Sequence, residues 1–332
     1  MFVEKENSLN ESDSQAEYLC RQAMAKAGFA YGDAPATFHW SQLVSPMGDK
    51  MAAKAAYEKL LQEEPENKSA LEGIAFIYQT LGNHDEAQKY RKRLRKVEAK
   101  NIGVDVNEHP EALDYLLAKT GEAPQPERVP PVYVGAHFDR YAPDYDEQLC
   151  EFLSYKGHLL IEEECRRVVL DKSGTALDIG CGTGLTGQSI HDLFSTIDGV
   201  DLSEKMLEVA KSRQVYRSLE QQDLNEYLVD KIDEYDVVTA SDVLIYLGDL
   251  TEVFRLTSQA LKNNGYFLFT LEKGHTETYC LRNTGRFQHN ADYINDLAEK
   301  NGFQIDKCRE EVLRINDGQD VNGYIFTLKK SS

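Results

Sequence analysis

The chain has 332 residues, a length typical of two domains, and its 41% hydrophobic content is enough for a sizeable buried core. Its formal net charge of −19 argues against nucleic-acid binding and against docking on anionic lipid, because both depend on Lys and Arg. No apolar run approaches the length of a membrane span, so no membrane partner is expected.

The six cysteines are scattered without a C-x-x-C pair, so the spacing of a zinc site is absent and no metal is predicted. Residues 1–14 are polar and acidic, unlike a secretory or transit segment. Without a cysteine framework, the composition predicts a cytoplasmic protein with reduced thiols.

The first part of the chain reads as helical. We expect residues 1–15 to be disordered and residues 16–120 to form a small all-α domain. A 34-residue offset aligns residues 47–50 with 81–84, Ala53 with Ala87, and Leu60 with Leu94. That period is typical of tetratricopeptide helix–turn–helix units. Since such units bury their faces only against neighbours, residues 17–30 are expected to supply a further helix.

Residues 121–132 contain Pro124, Pro126, Pro130 and Pro131. Proline at this density stops helices and favours extended chain. This segment is therefore predicted to be a linker to a second domain at residues 133–332.

In that second domain, short apolar, β-branched runs alternate with helical stretches, which predicts a parallel sheet with helices on both faces. After Gly302 the pattern changes to two strand-like runs joined by a turn signal at residues 316–318. The fold class is α/β, mostly parallel, with a C-terminal antiparallel hairpin.

Gly180, Gly182 and Gly184 follow an apolar strand at alternate positions, and Asp201 ends the next strand. Glycine lets the backbone approach a ligand, and a carboxylate at that strand end can hold ribose hydroxyls. The glycine spacing also fits NAD. However, Asp178 and Asp223 would repel a pyrophosphate, and three carboxylates suit the sulfonium, ammonium, ribose and adenine amino group of S-adenosylmethionine.

These residues resemble known motifs. Residues 177–184 and 200–207 are similar to the first two motifs of class I S-adenosylmethionine-dependent methyltransferases. Residues 137–146, 241–250 and 285–289 resemble marks of a bacterial-type family of tetratricopeptide-containing methyltransferases. The resemblance implies a Rossmann-like, seven-stranded domain preceded by a tetratricopeptide-like helical domain.

The resemblance also implies site roles. Asp178 helps hold the methionine ammonium, Asp201 takes both ribose hydroxyls, and Asp223 accepts from the adenine amino group. Ser241 lies beside the sulfonium, and Tyr141 folds over the methionine end. The remaining cofactor-binding residues are Gly180, Gly182, Gly184, Leu202, Met206 and Leu224, with Met206 and Leu224 against adenine.

Residues that follow the carboxyl ends of the fourth and fifth strands are candidates for meeting the acceptor, because ligands bind there in open α/β sheets. His289 is predicted as the general base, since histidine titrates near neutrality. Asp242 and Tyr246 are the other catalytic candidates. Arg286 would suit a carboxylate or phosphate on the substrate. The other substrate-binding candidates are Tyr145, His137 and His275.

The leading hypothesis is a methyltransferase with a protein, peptide or small-molecule acceptor, whose helical repeats recruit the substrate or a protein partner. A non-catalytic scaffold or assembly factor that retains the cofactor is the alternative. An NAD-dependent oxidoreductase is disfavoured by Asp178 and Asp223.

Overall fold

The computed structural model describes residues 47–147, 149–150, 153–169, 172–316 and 318–332. The chain divides into two compact units, Met1–Asn101 and Ile102–Ser332. The expected disordered segment 1–15 and the expected helix at 17–30 lie outside the described residues.

The described part of the first unit is helical, as the sequence predicts. It consists of α1 (Met47–Glu63), α2 (Lys68–Thr80) and α3 (His84–Ile102). The side chain of Asn67 accepts a hydrogen bond from the Ala70 N–H at 3.0 Å, which caps the start of α2. Leu60 and Leu94, which the 34-residue offset aligns, both lie in the buried core of this unit.

The second unit contains a mixed sheet. Its strands are β1 (Thr175–Ile179), β2 (Thr196–Asp201), β3 (Ser218–Gln221), β4 (Tyr235–Ala240), β5 (Leu261–Lys273), β6 (Tyr279–Leu281), β7 (Phe287–His289), β8 (Phe303–Asn316) and β9 (Gln319–Lys330). The order is β3-β2-β1-β4-β5-β7-β6, with β9 also on β5 and β8 on β9. β1 to β5 are parallel, and β8–β9 forms the predicted antiparallel hairpin.

Seven strands were expected, whereas the described residues of this unit form nine. The two additional strands, β6 and β7, are three residues each and form a small antiparallel hairpin. β7 pairs with the carboxyl end of β5 at Glu272 and Lys273. This hairpin therefore extends the sheet at the edge where the strands end.

Helices cover both faces of the sheet. They are α4 (Pro110–Ala118), α5 (Pro131–Tyr141), α6 (Gly157–Val168), α7 (Leu185–Ile190), α8 (Glu204–Ser212), α9 (Leu224–Leu228), α10 (Thr251–Ala260) and α11 (Ala291–Lys300), with short helical turns at Ala142–Asp144, Tyr145–Glu147 and Leu244–Tyr246. Val237 and Val238 belong to two different buried clusters, because successive strand residues point to opposite faces. Within the described residues, no helix is both long and apolar enough to cross a bilayer.

The segment predicted as a linker is built into the second unit. The Val129 N–H donates to the Tyr246 carbonyl at 2.8 Å, and the Gly248 N–H donates to the Glu127 carbonyl at 2.7 Å. The units consequently divide after Asn101 rather than near residue 120. α4 already ends at Ala118 and Pro131 begins α5, while the backbone between the prolines pairs with the chain after β4.

Phe254 of α10 lies in the larger buried core, so replacing it tests the packing there. It is fully buried, and its ring lies edge-on to Phe267, Phe269 and Phe303. We expect Phe254→Ala to lower the free energy of unfolding by about 3–5 kcal/mol in urea denaturation, because the cavity removes these contacts. Ile232→Ala, at a side chain that is 63% exposed, should change it by less than about 0.5 kcal/mol. Equal effects would contradict this core assignment.

Candidate functional site

The glycine turn after β1 is shaped by a close approach of two backbone segments. Gly180 has a φ of 65°, and its N–H donates to the Val200 carbonyl at 2.8 Å. A Cβ added at Gly180 would lie 2.2 Å from Val243 Cγ2, so a larger residue would displace the loop after β4. The turn therefore leaves its backbone open along the floor of a cleft.

Asp201 ends β2 and faces this turn. Its Oδ2 accepts from the Gly182 N–H at 2.8 Å, and its Oδ1 accepts from the Ser203 N–H at 2.9 Å. Burial raises the pKa of this carboxyl. Each carboxylate oxygen keeps further lone-pair capacity, so Asp201 can accept two hydroxyl groups while the backbone fixes its orientation.

A cleft of about 690 Å³ opens beyond the ends of β1, β2 and β4. Many of the sequence-predicted site residues line it. They are Tyr145, Gly180, Gly182, Asp201, Leu202, Met206, Asp223, Leu224, Ser241, Asp242 and Tyr246. Arg128, Phe138, Gln222 and Val243 also line the cleft and were not predicted as site residues.

The segment from α5 onwards covers the cleft and is fastened by two carboxylates. Asp139 Oδ1 accepts from Ser203 Oγ at 2.6 Å and from the Lys205 N–H at 3.2 Å. Asp146 accepts from Thr183 Oγ1 at 2.5 Å and pairs with Arg213. The cover is thus tied to the glycine turn and to the start of α8.

Asp223 does not stand alone in the cleft. Arg128 Nη1 lies 3.4 Å from its Oδ1, Nη2 binds Oδ2, and the Asn225 N–H donates to Oδ1 at 3.0 Å. Arg128 lies 95 positions away in the proline-rich segment, where sequence reading had no signal for a site residue. It neutralises one of the three predicted carboxylates.

The end of β4 supplies the other polar groups. Ser241 Oγ and Tyr155 Oη form a hydrogen bond of 2.6 Å. Asp242 has a φ of 58°, its N–H donates to Thr270 Oγ1 at 2.9 Å, and both its carboxylate oxygens lie 2.7 Å from Arg314 Nη1. These contacts hold Ser241 and Asp242 at the cleft lining.

Asp178 lies beneath the glycine turn rather than in the lining of the cleft. Its carboxylate is 1% exposed, and it accepts from Tyr216 Oη at 2.7 Å and from Thr239 Oγ1 at 2.9 Å. Burial raises its pKa to about 6. Gly184 likewise does not line the cleft; it is the residue before α7.

His289, predicted as the general base, is fully buried on β7 and does not line the cleft. Its Nε2 lies 3.1 Å from the Gly248 carbonyl, which accepts the hydrogen bond, and burial lowers its pKa to about 4. The prediction rested on residue type, which does not reveal burial. Tyr141, 41% exposed beside His137, and the exposed His275 also lie outside the cleft lining.

A second pocket of about 430 Å³ adjoins the cleft. His137 and Arg286, predicted as substrate-binding residues, line this pocket instead of the cleft. The two cavities share a wall made by Val129, Val134, Phe138 and Tyr246.

Comparison with known proteins shows what the second unit is similar to. A family model described as a methyltransferase domain matches residues 177–267. The chain is 35% identical over 194 residues to a malonyl-[acyl-carrier protein] O-methyltransferase from Halalkalibacterium halodurans, covering 56% of this chain and 70% of that protein. It is 30% identical over 129 residues to a ubiquinone biosynthesis O-methyltransferase from Thiobacillus denitrificans, covering 37% of this chain and 53% of that protein.

The chain thus spans about half the length of the ubiquinone-related proteins that it matches. Among solved structures, an S-adenosylmethionine-dependent methyltransferase from Clostridium acetobutylicum is 18% identical, with a TM-score of 0.44, over 59% of this chain and 99% of that one.

The raised pKa of Asp178 predicts a pH-dependent stability. The pKa of Asp178 rises from 3.8 to about 6 on folding. The stabilisation from protonated Asp178 is therefore complete below about pH 4. It is lost as the pH rises through about 6, by up to about 3 kcal/mol. The free energy of unfolding of the wild type minus that of Asp178→Asn should therefore fall between about pH 4 and 7, measured by urea denaturation. A constant or rising difference would contradict the burial of an ionisable group here.

Proposed function

The chain belongs to the class I S-adenosylmethionine-dependent methyltransferase family, and we propose that the cleft in the unit from Ile102 onwards is its active site. There a methyl group is transferred to an acceptor. The cofactor is S-adenosylmethionine. The observation that carries the proposal is the position of Asp201, whose two oxygens are held by the Gly182 and Ser203 N–H groups at the lining of the cleft.

In this proposal the nucleoside end lies between β2 and α9. Asp201 accepts from the ribose hydroxyls, and Met206 packs on the adenine with Leu202 and Leu224 around it. Asp223 accepts from the adenine amino group while Arg128 holds its carboxylate in place. The carboxylate of Asp178 beneath the turn would repel a pyrophosphate.

The methionine end lies on the glycine turn. The backbone of Gly180 and Gly182 permits close approach, Ser241 lies beside the sulfonium, and Tyr145 covers this end from above. Asp178 acts from beneath the turn, where its charge attracts the ammonium without direct exposure to the cleft.

When bound, the cofactor supplies an electrophilic methyl group. The protein aligns the acceptor with it, and alignment is worth roughly 7–11 kcal/mol in well-oriented systems. Asp242 lines the cleft, and its carboxylate, which is paired with Arg314, can accept a hydrogen bond from an incoming hydroxyl and orient it. Burial raises the pKa of Tyr246 to about 12, so its hydroxyl stays protonated and orients the acceptor as a donor. We assign no acid–base role to His289.

The acceptor atom that we favour is oxygen, since the two relatives described above are named as O-methyltransferases. The first unit, with Leu60 and Leu94 in its core at the 34-residue offset, is proposed to be tetratricopeptide-like and to recruit a protein or peptide acceptor. We propose a cytoplasmic location for the whole protein.

Asp201→Ala should weaken S-adenosylmethionine binding by about 100-fold or more in titration calorimetry, because charge-assisted hydrogen bonds to two hydroxyls are lost. Glu204→Ala is the matched control, since it removes an exposed carboxylate three residues away, and its affinity should equal that of the wild type. Wild-type affinity in Asp201→Ala would refute the assigned site.

A label-transfer experiment tests catalysis and recruitment together. The protein is incubated with methyl-labelled cofactor and a cell lysate, and the label is measured separately in acid-precipitated protein and in the soluble fraction. We expect labelled protein with the wild type and none with Asp201→Ala. Label confined to small molecules would contradict recruitment of a protein acceptor, and no transfer at all would contradict catalysis.

A further inference from the structure

The second pocket adjoins the cleft in which we place the methyl donor. It is separated from the cleft by Val129, Val134, Phe138 and Tyr246, whose side chains line both cavities. The Phe138 and Tyr246 rings meet edge-to-face, with centroids 5.5 Å apart. A molecule in the second pocket is therefore one layer of side chains away from the methyl-transfer site.

The charge of this pocket differs from that of the chain as a whole. The net charge of the protein is −19, yet the described residues that line the pocket include the cations Lys119 and Arg286 and no carboxylate. Glu272 accepts from Arg286 Nε at 2.9 Å, but the same oxygen also binds Arg314. Asp242 is the other partner of Arg314, so two carboxylates serve these two guanidinium groups, and Lys119 adds a positive charge at the lining.

The pKa of His137 reflects the cations around the pocket. It is partly buried in the pocket wall, and its pKa falls to about 4 because of burial and because Lys119, Arg286 and Arg140 lie nearby. The imidazole is consequently neutral at physiological pH. It can donate a hydrogen bond to an anion without a carboxylate of the protein competing for the same N–H.

Aromatic rings pack together in the wall of the pocket. The Tyr133 ring stacks on His137, with centroids 6.1 Å apart and an angle of 13° between planes, and Tyr115 meets Tyr133 edge-on at 5.0 Å. These rings pack against one another and stiffen the wall of the pocket.

The pocket is held in a fixed shape. Tyr115 Oη on α4 donates to the Gly285 carbonyl at 2.9 Å, between β6 and β7. Gly285 has a φ of 83°, and a Cβ there would lie 2.4 Å from Tyr115 Oη. Only glycine allows α4 to dock this closely, so Lys119 at the end of α4 and Arg286 after the loop are brought to the same cavity.

We propose that this pocket binds the anionic group of the methyl acceptor, a carboxylate or phosphate, with Lys119 and Arg286 as its ligands. The inference rests on the proposed function, because it takes the neighbouring cleft as the place where the methyl donor binds. It names the substrate class of that site.

The test uses the full chain with saturating S-adenosylhomocysteine and three probes: benzoate, phenyl phosphate and the neutral benzamide. In titration calorimetry we expect at least one anion to bind about tenfold or more tightly than benzamide. The tighter of benzoate and phenyl phosphate identifies the group as carboxylate or phosphate. Lys119→Gln and Arg286→Gln should each weaken that binding by about tenfold or more, with S-adenosylhomocysteine affinity unchanged.

Arg282→Gln is the matched control, because Arg282 is exposed in the same loop and does not line the pocket. It should bind the anion as the wild type does. Should Arg286→Gln misfold, as shown by lost S-adenosylhomocysteine binding, Lys119→Gln decides the question alone. Equal binding of benzamide and both anions, or undiminished anion binding in Lys119→Gln, would overturn the inference and leave the proposed function standing. A wild type that binds benzoate but not S-adenosylhomocysteine would overturn the proposed function instead, and with it the pocket's role as an acceptor site.

Discussion

The buried guanidinium of Arg314 is the interaction on which the arrangement of the site depends. It is 2% exposed on β8, and it pairs with Asp242 at the end of β4 and Glu272 at the end of β5. A charge this deeply buried is tolerable only when it is fully paired, because its desolvation costs several kcal/mol. The pairs therefore require three strand ends to meet at one point. Asp242 is held at a positive φ there, and Glu272 carries the connection to Arg286 and the second pocket.

The cover of the cleft is attached in a different way. Asp139 and Asp146 are only partly buried. Asp139 binds Ser203 at the start of α8, and Asp146 binds Thr183 in the turn before α7. Partly exposed pairs contribute little each, about 1 kcal/mol or less, because water screens them. The strand ends at the cleft are thus fixed by buried ion pairs whose separation costs several kcal/mol, whereas the cover is fixed by several weak contacts. That division suits a site whose ligands have to enter and leave past α5.

Local patterns in the sequence predicted the part of the site that depends on local structure. The strand before Gly180, the carboxylate of Asp201 and the β8–β9 hairpin follow from spacing and periodicity alone. Strands of three residues, such as β6 and β7, are too short to show a period. Arg128 and Arg314 could not be predicted either, because their partners are 95 and 72 positions away.

The three carboxylates that pointed to a cationic cofactor turn out to have different environments. Arg128 neutralises Asp223, whereas Asp178 and Asp201 pair with no guanidinium among the described residues and accept from hydroxyl and backbone donors. Negative charge is therefore concentrated near the glycine turn. Positive charge lies across the Phe138 wall, at Lys119 and Arg286. A sulfonium donor is therefore drawn to the glycine turn and an anionic group to the second pocket, so the two cavities favour ligands of opposite charge.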